Sequence, residues 1–380
     1  MKRILILGGG FGGLTAANEL RRALTPDNEI ILIDKSKKFS MGLGNLWIII
    51  GERDKPEERN LSELNKKGIK FLNEEILKIK PKDKEVITSS STLKGDYIIV
   101  ALGAELAPNL IPGFSSSAYN FYEPYECINL QRALKNFNEG KIVILISRVP
   151  FKCPPAPYEA AFLIDDFLRK RKIRGKIKIE LYTPEFQPMP VAGPDVGKKI
   201  VNMLKEREID YFPEHTVLRI EPELKKIIFE TDETNFDLLI GVPPHIPPKV
   251  IRESDLVDSL GWIPVNPETL ETKYKGIFAI GDNTLIKLKN GMPLPKAGIF
   301  AEEEAKVVSK NIINEIKGER SYHTFKGEGF CYIEIGEGKA LLGKGEFYSS
   351  PSPKITLDGP STLYKEEKKE FEKVRLDSWF

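Results

Sequence analysis

With 380 residues, 57 basic against 55 acidic side chains and a net charge of +2, the chain can bury two or three domain cores. It has no charge excess with which to hold nucleic acid by its phosphates. Its three cysteines, Cys127, Cys153 and Cys331, include no Cys-x-x-Cys pair, so neither a secreted disulfide framework nor a zinc or other metal site is expected.

In chain order, a strand Ile4–Leu7 begins so early that no signal peptide is expected. Gly8-x-Gly10-x-x-Gly13, a helix over Leu14–Leu24, and a strand Glu29–Ile33 ending at Asp34 make a dinucleotide fingerprint. The glycines let a pyrophosphate meet bare backbone and a helix N-terminus, and Asp34 stands where it can bond an adenosine ribose. This pattern does not separate FAD from NAD. The longest apolar run, Leu46–Ile50, is too short to cross a bilayer, so the protein is expected in the cytoplasm or peripheral on the membrane's inner face. Asp96–Ala104 reads as a buried strand ending in a tight turn at Gly103.

Proline-rich connections at Pro108 and Pro112, and again at Pro243-Pro244 and Pro247-Pro248, bracket an inserted segment. The expected fold is α/β, with two Rossmann-like dinucleotide-binding domains and a small C-terminal region. The boundaries read as 1–110 with 248–320, then 111–247, then 321–380. Within the insert, Lys141–Phe167 repeats the strand, turn and helix of the N-terminus. Laid on the first unit, it puts Ser147, Val149 and Lys152 where Gly8, Gly10 and Gly13 stand, so the nucleotide-phosphate site of this second unit is lost. Cys153 follows at the start of the helix, where Pro154, Pro155 and Pro157 mark a first turn. A helix N-terminus and Lys152 both favour a thiolate, and such cysteines have pKa values of about 3.5 to 7.5. The plain alternative is a buried, inert cysteine. The basic run Arg169–Lys178 reads as a solvated helix end and turn.

Gly276–Asp282 is a further strand ending in glycine and a carboxylate. Together with the Gly103 turn it resembles flavoproteins with two dinucleotide-binding domains, which implies FAD, with Asp282 on the ribityl chain. Pro295-Lys296-Ala297-Gly298 opens a helix over Ile299–Ile316. Its N-terminus either offers a positive dipole to an anionic flavin pyrimidine or is an ordinary helix start. The tail carries a hairpin, Gly327–Gly345, containing Cys331. Its last stretch, Leu363–Phe380, can place Tyr364, Phe371, Val374 and Trp379 on one face, packed on its own domain or lying on lipid.

Five stretches together resemble the sulfide:quinone oxidoreductase family over nearly the whole chain. They are Asn45-Leu46-Trp47 through Gly51, Val242–His245, Gly261–Val265, Gly281-Asp282 and Pro295–Glu302, and the three cysteines fall where that family places its own. The resemblance implies an FAD enzyme that oxidises sulfide and reduces a membrane quinone. Cys153 and Cys331 would be the redox pair beside the flavin, and Cys127 a third cysteine near the flavin's dimethylbenzene edge. It implies that hydrosulfide opens the cysteine bridge, leaving a persulfide on Cys331 and a thiolate on Cys153 that adds to the flavin. Glu159 is a candidate proton carrier, with a surface-helix glutamate as its bland reading. Quinone would collect the electrons from the opposite ring face, near Pro295–Gly298 and a tail aromatic such as Phe347 or Tyr364. Lys296 and Gly298 thus join the glycines, Asp34, Gly103, Cys127 and Asp282 as expected cofactor contacts. Leu102 stands where the family usually has Thr. The rival readings are a type II NADH dehydrogenase, a flavocytochrome c sulfide dehydrogenase subunit, and a non-catalytic electron-transfer flavoprotein. Homo-oligomerisation is left open.

Overall fold

The computed structural model describes residues 1–380 and contains two five-stranded parallel sheets built to one plan. In the first, β1 (Arg3–Leu7), β2 (Glu29–Asp34) and β3 (Lys70–Asn73) lie side by side. A three-stranded antiparallel meander follows in β4 (Ile76–Lys80), β5 (Glu85–Thr88) and β6 (Thr92–Lys94). Then β7 (Tyr97–Val100) returns to the free side of β1. The second sheet repeats the sequence of moves. It runs through β8 (Gly140–Ile146), β9 (Ile177–Tyr182) and β10 (Ile209–Phe212), then a meander in β11 (Val217–Glu221), β12 (Lys226–Phe229) and β13 (Glu233–Asn235). Finally β14 (Leu238–Val242) lies beside β8. The chain re-enters the first sheet as β15 (Ile277–Ala279), next to β7. The duplication is therefore wider than the strand-turn-helix match in the sequence, because the meanders correspond as well.

These strands are apolar along their length because helices and meanders cover both faces, so Ile4–Leu7 and Ile142–Ile146 are entirely buried. Helix α1 (Phe11–Ala23) starts directly after the glycine turn and takes Gly12 and Gly13 into its first turn. After it come α2 (Asn45–Ile49), α3 (Pro124–Asn136), α4 (Ala156–Lys170), α5 (Pro194–Glu206) and α6 (Gly298–Lys317). The turn before α4 is longer than the one before α1. Residues 147–155 separate β8 from α4, whereas residues 8–10 separate β1 from α1. The position-by-position match therefore fails at Lys152, which lies outside the helix while Gly13 lies inside it.

The tail is an antiparallel sheet of β16 (Glu328–Gly336), β17 (Lys339–Glu346) and β18 (Lys354–Ser361), followed by helix α7 (Thr362–Trp379). Ile333, Ile335 and Leu341 enter the core built around α4, while Leu376 and Trp379 enter the core under α1. The tail thus joins both halves and closes the region between them. Helix α7 buries only part of the expected apolar face: Trp379 enters the core and Phe371 packs against it. Its inward stripe is Lys365, Lys368, Glu372, Leu376 and Trp379, and Val374 is 48% exposed. Spacings of three and four put these charged residues on one side, where ion pairs with other segments replace their hydration. The basic run near residue 174 is also only partly solvated. Arg174 is buried, binds Asp165, and donates to the carbonyls of Ile177, Arg207 and Glu208. No helix is long and apolar enough to cross a membrane.

Candidate active site

The dinucleotide turn is shaped by close backbone contacts. A Cβ on Gly13 would lie 1.8 Å from the Gly8 carbonyl oxygen, and one on Gly8, whose φ is +105°, would lie 2.4 Å from the Ala101 oxygen. Neither position tolerates a side chain. Above Gly10, by contrast, a Cβ would meet nothing within 4 Å, which leaves the open cradle a pyrophosphate needs at the start of α1. Asp34, at the end of β2, accepts hydrogen bonds from the N–H groups of Gly9 and Ser36. Gly103, with φ +68°, also faces open space, and the Asn283 side chain accepts from Leu102 N–H to tie that turn to the end of β15.

Asp282 makes no side-chain hydrogen bond within the protein, and burial raises its carboxyl above the usual range. That free carboxylate suits the hydroxyls of a ribityl chain. Lys296 turns its ammonium to the carbonyls of Asp282 and Thr284, at 2.6 and 3.1 Å, and lies 3.5 Å over the Trp262 ring. Burial lowers it to about 8. No side chain caps α6, so the N–H groups of its first turn remain available beside Gly298. The residues present therefore fit an FAD: bare glycine backbone for the pyrophosphate, acids for the sugar groups, and a helix N-terminus for the ring. Glu304, absent from the sequence reading, accepts from Gly281 N–H at 2.6 Å, and burial pushes it up to about 8.

Cys153 and Cys331 line one cavity of about 610 Å³, although they lie far apart in the chain. Its wall is apolar, with Val149, Phe151, Met189, Phe330, Phe347 and Ile355 among the residues around the two sulfurs. Phe347 lines it and Tyr364 does not. Cys153 holds a left-handed backbone, φ 53°, which non-glycine residues seldom adopt and which clusters at functional sites. Its N–H donates to the Lys296 carbonyl at 2.7 Å and its carbonyl accepts from Ala156 N–H, so the cysteine turn is pinned both to the Lys296 turn and to α4. Cys331 projects from β16. Both are free thiols.

The expected low-pKa thiolate is not what the geometry supports. Cys153 is solvent-accessible within the cavity, yet it lies deep in the fold. Burial and then the Glu159 carboxylate push its thiol up to about 12, against the opposing pull of Lys368. Cys331 is also raised to about 12, by burial first and then by charge on Cys153 and Glu159. Charge on Cys153 acts on Cys331, in keeping with the two side chains facing one cavity.

Glu159 is not a surface glutamate. It sits in the first turn of α4, 3% exposed, paired with Lys368 from α7. Lys368 also binds Glu334 of β16 at 2.9 Å, and Glu334 accepts from the Trp47 indole. Lys365 lies 3.3 Å from Glu334 and 2.7 Å from Glu52. Burial holds the Glu159 carboxyl well above its ordinary value. The sequence reading missed Trp47, Glu52, Glu334, Lys365 and Lys368. The one legible signal was Glu334, a lone carboxylate in the apolar strand Tyr332-Ile333-Glu334-Ile335.

Cys127 lies apart from this cavity. It is fully buried on α3, packed among core residues, and its thiol donates towards the carbonyls of Phe121 and Glu123. Burial pushes it up to about 12, so it is neither exposed nor ionised for attack on a flavin. Denaturing the holoprotein is expected to release all its flavin. Intact-mass measurement of the unfolded chain should show the bare polypeptide, and Cys127→Ser, whose hydroxyl can reach the same carbonyls, should keep normal flavin content. A flavin-modified mass would refute this.

Residues 2–145 match the family described as pyridine nucleotide-disulphide oxidoreductase. Residues 128–243 match the family described as sulfide dehydrogenase [flavocytochrome c] flavoprotein chain, central. The chain is 26% identical over 378 residues to the mitochondrial sulfide:quinone oxidoreductase of Dictyostelium discoideum, covering 95% of this chain and 81% of that protein. The crystal structure of the sulfide:quinone oxidoreductase from Aquifex aeolicus superposes with a TM-score of 0.89 at 26% identity, over 100% of this chain and 91% of that one. A type II NADH:quinone oxidoreductase of Staphylococcus aureus is 24% identical over 361 residues, covering 88% of this chain and 86% of its own length.

Proposed function

We propose that this chain, an FAD-dependent oxidoreductase that resembles the sulfide:quinone oxidoreductases over nearly its full length, oxidises sulfide at Cys153 and Cys331 and passes the electron pair to a quinone. The observation that carries the reading is the meeting of two sequence-distant sulfurs in one apolar cavity, pinned to the Lys296 turn that opens α6. The glycine turn, Asp34, Asp282 and the α6 N-terminus would hold the FAD, which would supply a two-electron acceptor between the sulfur centre and the quinone.

The chain's own part is sulfur exchange and proton handling. In the oxidised enzyme, with Cys153 and Cys331 joined as a disulfide whose two electrons have passed on to the quinone, hydrosulfide bonds to the Cys331 sulfur, the Cys331–Cys153 bond breaks, and Cys153 leaves as thiolate. Because both thiols are held up by burial, the thiolate arises by displacement rather than by spontaneous ionisation. Lys368 and the start of α4 stabilise it. The buried Glu159 takes the proton of the persulfide, the role expected of a carboxyl raised towards neutrality. An apolar cavity of about 610 Å³ accommodates uncharged sulfur chains between the two cysteines better than it does hydrated anions. The exposed apolar side chains of α7, Leu363 and Val374, support peripheral contact with the lipid that dissolves the quinone.

The second unit argues against nicotinamide. Ser147 is buried with its hydroxyl on the Val242 carbonyl, and the turn that follows carries Val149 rather than a glycine. Anaerobic titration of the holoprotein should bleach the flavin with sulfide and leave it oxidised with NADH; the opposite result would overturn the proposal. The match to the flavocytochrome c sulfide dehydrogenase family favours one second reading, in which a cytochrome takes the electrons. Comparing a short-chain quinone with cytochrome c as acceptor of the sulfide-derived electrons separates the two.

A further inference from the structure

We propose that the buried chain Glu159–Lys368–Glu334–Lys365–Glu52 carries the proton lost by sulfide from the cysteine pair to solvent. The inference rests on the reading of Cys153 and Cys331 as the sulfide-oxidising pair.

The five side chains form a continuous line. Lys368 bridges Glu159 and Glu334, and Lys365 hydrogen-bonds Glu52; from Lys368 outward the separations are 2.9, 3.3 and 2.7 Å, of which the middle one, Lys365 to Glu334, is an ion-pair contact without a hydrogen bond. Side-chain exposure runs from 4% at Glu159 through 1%, 1% and 9% to 34% at Glu52, so the line starts in the interior and ends at the surface. Its inner end acts electrostatically on both Cys153 and Cys331. Three carboxyls share two ammonium groups, so the fully ionised line carries one net negative charge, with the partly exposed Glu52 as its outer end. A proton on one of the carboxyls neutralises that charge, and its position can move along the line. The neighbouring Arg53–Glu372 pair closes on itself and offers no partner for that charge. Trp47 fixes one Glu334 oxygen through its indole N–H and places its ring beside the Lys368 ammonium, at 5.5 Å.

The chemistry supplies a proton to move. When hydrosulfide is taken up between the two cysteines, one sulfur–sulfur bond breaks and two form. An electron pair leaves towards the FAD and the quinone, and one proton remains. Glu159 receives it. Each ammonium then gives up one proton as it gains another, so no lysine is left neutral, and Glu52 releases the last one outside.

The test is Glu52→Gln, at the outer end, which keeps an acceptor for Lys365 but cannot take a proton. Sulfide bleaching of the flavin should slow by about tenfold or more. The solvent deuterium isotope effect should rise, and formate or imidazole buffer should restore the rate. Flavin content and melting temperature should match the wild type. Lys365→Met, which cuts the line one step further in, should show the same isotope effect with weaker buffer rescue. Unchanged bleaching in Glu52→Gln, or slowing that neither deuterium oxide nor buffer acids alter, would show the line to be only a tie for α7 and would overturn the proposal. Failure of sulfide to bleach the wild-type flavin in the same experiment would instead overturn the functional reading beneath it.

Discussion

Cys153→Ser and Cys331→Ser are each expected to abolish sulfide-driven bleaching of the flavin, with losses on the order of a thousandfold or more, while the holoprotein keeps its flavin and its melting temperature. Serine is nearly isosteric, but it can neither form nor break a bond to sulfur. Cys153 faces the cavity and Cys331 is only half-buried on β16, so neither substitution empties a core site. The structural consequence should be small and the chemical one nearly total. The two losses should also fail to add, because hydrosulfide needs both sulfurs: one to bond to and one to leave. Stopped-flow absorbance of the oxidised flavin after mixing with sulfide reads the effect directly. Retained bleaching in either variant would leave the non-catalytic flavoprotein as the better description.

The dinucleotide fold was legible because its signals are local. A run such as Ile4-Leu5-Ile6-Leu7, a glycine turn and an acid at the end of the next strand each follow from backbone chemistry within a few residues. The hairpin around Cys331 was legible for the same reason. Strand β18 was not, since Pro351 and Pro353 crowd its approach, Gly359 and Pro360 interrupt its pattern, and only pairing with β17 makes it a strand. The charge state of Cys153 was misjudged because chain position reports the nearby helix start and Lys152 but not depth. Burial decides the direction, and burial is a property of the whole fold. The inward face of α7 was misplaced for a related reason. Hydrophobic periodicity assigns Lys365 and Lys368 to solvent, and only their partners Glu52, Glu159 and Glu334, drawn from three distant segments, reverse that assignment.

Those partners set the second large effect. Lys368→Met is expected to destabilise the protein by about 3–5 kcal/mol and to stop sulfide oxidation. The side chain is 1% exposed and stands between two carboxylates on different elements, so removing its charge leaves Glu159 and Glu334 facing each other without a cation between them. Burial already raises the Glu159 carboxyl, and Lys368 is the largest influence pulling it back down. Without the lysine, Glu159 rises further and stays protonated at neutral pH, unable to accept a proton from the sulfur site. Cys153 loses the one cation that opposes the rise of its thiol. A lower apparent melting temperature, together with absent flavin bleaching in protein that still holds FAD, would show both consequences. Pairing Lys368→Met with Glu159→Gln should recover much of the stability, since the buried charge is removed along with its partner, but should leave the chemistry dead. If the double variant were as unstable as the single one, the cost would lie in packing around α7, and the electrostatic account of Lys368 would be wrong.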